Sequence, residues 1–180
     1  RTTPDPQLPA PMIAYLLLIL LVAILAYFDA RREKRMIDAR PGGPDLDHKE
    51  LIWRRLRNVG VLVMVAVVCD GTDGWDALWM GLCHAGAAWA TFTITHRLSL
   101  NLMRGFDWGY VSDGNAYDRF WINLCTPSEW TPKKGQHHFN YGVFRAYDKA
   151  IHRAGARAYC FETAVLAASI VGVVAILTNT

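Results

Sequence analysis

The sequence lacks most of the features that mark enzymes and small stapled domains. Its four cysteines, Cys69, Cys83, Cys125 and Cys160, contain no CxxC pair. Three of them lie in or beside apolar runs, where cysteine behaves as a small hydrophobe, so neither a disulfide framework nor a zinc ribbon is indicated. No HExxH, HxxxH or ExxH string occurs, and there is no glycine-rich phosphate loop, nucleophile elbow or dinucleotide fingerprint. The formal net charge of +3 is too small to imply specific nucleic-acid binding. Charge is missing altogether from long stretches: between Asp5 and Asp29, from Asn58 to Cys69, from residue 77 to 96, and after Glu162.

What fills those stretches is apolar. Hydrophobic residues make up 52% of the 180 positions, and the mean hydropathy is +0.11, which suits a membrane protein carrying a sizeable polar part. A helix rising about 1.5 Å per residue crosses the roughly 30 Å bilayer core in about 20 residues. On that measure the sequence predicts an all-α integral membrane protein with four transmembrane helices, at 12–29, 52–70, 76–97 and 158–178. A short proline-rich tail precedes the first. A basic linker (RREKR, then PGGP) and an interfacial lead-in occupy 30–57, with Asp45 or Asp47 as a cap and Arg54, Arg55 and Arg57 snorkelling to headgroups. The second and third spans form a hairpin through DGTDGWD, whose glycines supply tight-turn conformations. A small aromatic module at 98–157 lies between the third and fourth spans; within it Asp113 caps a short helix, and helix resumes near Tyr147.

Of the 19 Lys and Arg, nine fall between Ala30 and Arg57 and nine between Arg97 and Arg157. The positive-inside rule then puts 30–57 and 97–157 in the cytoplasm and both termini outside, in a bacterial inner membrane or a viral or host membrane. The basic cluster follows the first apolar run, which suits a retained anchor better than a cleaved signal. Small residues mark two packing faces, Gly81, Ala85 and Ala88 on the third span and Ala164, Ala168 and Gly172 on the fourth.

Candidate functional residues fall into two groups. His84 sits near the middle of the third span, where an ionisable group invites a functional reading. Thr91 and Thr95 share its face. At the cytoplasmic level, Asp29, Asp45, Asp47, His48, His96, Arg97, Asn101, Arg104, His152 and Glu162 all lie at helix ends. Carboxylates with imidazoles form the ligand set for zinc, iron or manganese, and Arg97 with Arg104 suits a lipid phosphate; ordinary capping and snorkelling account for the same residues. His137 and His138 read as loop, Asp118 as a surface neighbour of Arg119, and RREKR as a topology determinant able to bind anionic lipid. No cofactor is indicated by any motif.

The resulting expectation is a non-enzymatic membrane subunit or scaffold, partnered by the lipid bilayer and by other membrane chains or copies of itself. Two alternatives stand beside it. One is a small enzyme acting on lipid headgroups, which requires Asp29, His48, His96 and Asn101 to meet in one cavity. The other is an oligomeric pore built on Ala164, Ala168 and Gly172.

Overall fold

The structure, a computed structural model, describes residues 10–39, 48–111, 116–125 and 141–179. These residues form helices with no strand among them: α1 (Ala10–Ala39), α2 (His48–Asp70), α3 (Gly74–Met103), α4 (Ala116–Cys125) and α5 (Tyr141–Asn179). The described residues are therefore all-helical in class. Two of its helices, over Pro11–Ala39 and Ile151–Asn179, are long and apolar enough to cross a membrane.

α1 does not end with its apolar run, as a linker starting at Ala30 would require. It continues through RREKR to Ala39. Arg, Glu and Lys are good helix formers, and Lys34 pairs with Asp38 one turn on, at 2.5 Å. α5 likewise starts six residues before Tyr147. The lead-in and second span form the single helix α2. Asp45, Asp47, the PGGP turn, Asp113, His137 and His138 lie outside the described residues.

The α2–α3 hairpin turns on Gly71 and Gly74, at φ +64° and +62°, as its glycines predict. α3 ends in a Schellman arrangement. Gly105 takes φ +72°, its N–H bonds to Leu102 O at 3.2 Å, and the Phe106 N–H reaches back to Asn101 O at 2.9 Å. The chain is thereby folded back beside the end of α3.

α3 is the centre of the bundle and packs against α1, α2 and α5. Its pairings give the directions. On α1, Tyr15 meets His84 and Asp29 meets His96, so α1 and α3 run parallel. On α2, Arg55 meets His96 while Val67 approaches Gly81; on α5, Glu162 meets Arg97 while Gly172 meets Cys83. Both of these helices are antiparallel to α3. One core layer gathers Tyr15, Met80, Ala87 and Val173; another gathers Leu18, Val22, Ala66 and Ala88. α4 docks on α5, burying Trp121 and Ile122 against Ile151, Ala154 and Ala158.

The small-residue faces divide. Gly81 lies against α2 and Ala88 is buried, but Ala85 is exposed. Gly172 packs so closely on α3 that a Cβ there would come 2.5 Å from Cys83 Sγ, whereas Ala164 and Ala168 face outward. Residues four apart drift about 40° around a helix, so a run of three does not share one contact line. The close α3–α5 approach instead uses Gly86, whose Cβ would meet Ser169 Oγ at 2.7 Å.

Candidate functional site

Two polar networks lie at one end of the bundle, on opposite sides of α3. The first joins α1, α2 and α3. Arg54 Nη2 donates to Asp29 Oδ1 at 2.8 Å. Arg55 Nε donates to Asp29 Oδ2 at 2.5 Å, and its Nη2 donates to Glu33 and lies 2.9 Å from His96 Nε2. Asp29, Glu33 and His96 bring one ligand-type atom each within 4.8 Å of one another. Those are the donors a metal would use. Here, however, the Arg55 guanidinium contacts all three, and two arginines face two carboxylates. The charges balance through the chain's own cations. His96 also stacks on Phe92, with ring centroids 5.6 Å apart.

The second network joins α3, α4 and α5. Arg97 sets Nη1 3.0 Å from Glu162 Oε2 and Nη2 3.0 Å from Oε1, a two-pronged pair. Nη2 also reaches Asp118 Oδ1 at 3.3 Å. The Tyr117 hydroxyl donates to Glu162 Oε1 at 2.9 Å. Burial, with the Glu162 carboxylate beside it, pushes the Tyr117 phenol up to about 12. The guanidinium lies over the rings of Tyr117 and Tyr159, at 5.6 and 5.1 Å. Glu162 is 0% exposed; a carboxylate so placed requires this cation and these donors.

A third polar site lies farther along α3. His84 is fully buried, and its Nδ1 lies 2.7 Å from Met80 O, one turn back. Its Nε2 lies 3.1 Å from Asp70 Oδ2, with both side chains 0% exposed. The approach is off the line of a straight hydrogen bond, and neither Asp70 oxygen has a donor among the described residues. The Tyr15 ring meets the imidazole edge-on at 5.3 Å.

The residues singled out in the sequence thus scatter. Asp29 and His96 come together; Asn101 does not join them. Its Nδ2 donates to Tyr110 O at 2.7 Å and Trp108 O at 3.3 Å, clamping the loop that follows α3. Arg104 is exposed and covers Phe106 at 4.6 Å. His48 is the first residue of α2, and His152 is exposed on α5. Thr91 is buried and Thr95 half-buried, but the partner of His84 is Asp70. Asp118 is not a surface neighbour of Arg119; it is buried and pairs with Arg97. Sequence reasoning also missed Glu33, Arg54 and Arg55. The signal for Glu33 was its i+4 spacing from Asp29, which matters only once α1 is known to continue past the apolar run.

Comparison with known proteins finds no matching family model, no similar curated protein and no similar solved structure. The class is that of an all-helical protein with two helices able to cross a membrane.

Proposed function

We propose that the chain is a four-span integral membrane protein acting as a non-enzymatic subunit or scaffold, which packs with other membrane chains and presents its aromatic and basic module at the cytoplasmic face. The observation that carries this reading is the division of its surface. Charged groups at the bundle's end pair with each other across helices, while the sides of the bundle are apolar. α2 exposes Val61, Met64, Val65 and Val68, and α3 exposes Leu78, Trp79 and Leu82, in addition to the outer faces of α1 and α5. Apolar surface of that extent is stable against lipid and aggregation-prone in water. The alternation of helix directions is consistent with α1 and α3 crossing inward and α2 and α5 outward. The two networks then lie at the cytoplasmic interface, where Arg97 and Arg54 reach headgroup depth with their counter-ions attached.

Within the first network, Arg55 contacts Asp29, Glu33 and His96 together, and Asn101 is committed to the loop. Both features favour a structural over a headgroup-cleaving role. Native mass spectrometry of the gently solubilised protein tests the reading. Stoichiometric partner chains, or a defined oligomer, support it. A lone chain retaining one tightly held metal ion overturns it and makes Asp29, Glu33 and His96 an active-site candidate.

A further inference from the structure

The two end networks contain their own cations, but the Asp70–His84 pair is differently built. The Met80 carbonyl oxygen carries no hydrogen, so at 2.7 Å the shared hydrogen belongs to His84 Nδ1. That fixes the tautomer. In a neutral ring, Nε2 is then a bare lone pair, lying 3.1 Å from Asp70 Oδ2 and off the straight line to it. A lone pair against an ionised carboxylate is repulsive. Neither carboxyl oxygen has another donor among the described residues, and both side chains are fully enclosed. An ionised carboxylate without donor or counter-ion is not sustained in such surroundings.

We propose that Asp70 and His84 form a proton-binding site that together holds one proton, on the Asp70 carboxyl or on His84 Nε2. The two arrangements of that proton, imidazolium with carboxylate and imidazole with carboxylic acid, have the same total charge, zero. The site is therefore neutral whichever group carries the proton, which lets it persist between packed helices. The nearest acids in the chain, Asp73 and Asp76, are exposed at the turn and the start of α3. α1 contributes the phenol of Tyr15, edge-on to the ring. α3 contributes the Cys83 thiol, which packs on Gly172 of α5. From Leu166 to Leu177, α5 carries no titratable residue. The ligand is the proton itself, shared by α2 through Asp70 and by α3 through His84.

The test uses the full chain, labelled with 15N-histidine and 13C-aspartate and reconstituted in phosphatidylcholine vesicles. NMR spectra are followed between about pH 5 and about pH 8, where an ordinary histidine changes charge; His84→Gln assigns the signals. The expected result is that the His84 ring nitrogens and the Asp70 carboxyl carbon stay unshifted over the whole range. In Asp70→Asn, which has no carboxyl to carry a proton, His84 should show the signals of a neutral ring protonated on Nδ1. The proposal is overturned if the wild-type His84 signals shift across this range, or if the Asp70 and His84 signals shift independently. The wild-type titration alone decides the matter should the Asn variant fail to fold.

Discussion

His96 and Arg97 are consecutive on α3, yet they serve opposite sides of it. His96 lies 3.2 Å from Glu33 of α1 and 2.9 Å from Arg55 of α2, whereas Arg97 grips Glu162 of α5 and Asp118 of α4. A step of one residue turns about 100° around a helix, enough to address two different interfaces at the same height. One turn of α3 thus ties together all four of the other helices.

Arg97→Leu should be among the most damaging single changes, because it leaves the buried Glu162 carboxylate without a cation. A loss of about 3–5 kcal/mol is expected. Replacing both members, Arg97→Leu with Glu162→Leu, should recover most of it, since the uncompensated charge goes too. Denaturant unfolding in detergent measures the difference; a double variant as weak as the single one would contradict the assignment.

Arg55→Lys keeps the charge and should still destabilise. An ammonium cannot span Asp29, Glu33 and His96 as the planar guanidinium does. Each charged hydrogen bond lost is worth about 1.5–3 kcal/mol. Thermal unfolding of the variant checks this, and a wild-type melting curve would refute it.

Gly155→Ala should loosen the loop after α3. A Cβ at this position would fall 1.8 Å from the Gly109 carbonyl oxygen, and backbone cannot step aside as a side chain can. Overpacking of this kind costs about 1–3 kcal/mol. The expected readout is faster proteolysis within 104–111, with the helices still intact by circular dichroism.

Met64→Arg discriminates lipid from water around α2. Met64 is 71% exposed. On a surface facing water the change would alter stability by about 0.5 kcal/mol or less. Within a bilayer an arginine at helix centre costs about 2.5–3.5 kcal/mol of insertion. A clear fall in the membrane-integrated fraction is expected, and unchanged integration would remove α2 from the set of spans.

The Tyr117 phenol gives a pH signature. With its value raised from 10.0 to about 12, folding favours the protonated form. The contribution to stability is complete below the unfolded value and disappears as pH rises through the folded one. Absorbance titration should therefore show late-ionising tyrosine absorbance that Tyr117→Phe reduces by one residue's share.

The helical class and the hairpin glycines were legible because hydropathy and φ preference are local properties. Asp29 and His96 were legible as members of one polar level, since both end apolar runs. Their partners were not. Arg54 and Arg55 look like snorkelling residues until α1 is seen to extend far enough to bring Glu33 beside them. Asp118 is adjacent to Arg119 in sequence, and only the docking of α4 on α5 turns it inward to Arg97. Asp70 looked like part of an acidic turn; its meeting with His84 depends on how α2 and α3 cross. Each miss concerns a side chain whose partner lies on another helix, which periodicity along one helix does not encode.

The 65 residues separating Arg97 from Glu162 carry a consequence for biosynthesis. Chains are made from the N-terminus, and early parts fold before later ones emerge. α3 is complete, with its arginine in place, well before the ribosome reaches the carboxylate that neutralises it. Through that interval Asp118 of α4 is the carboxylate available to Arg97, and the two-pronged pair with Glu162 forms only when α5 arrives. A chain truncated before Glu162 therefore lacks the two-pronged partner of Arg97 and keeps Asp118 alone.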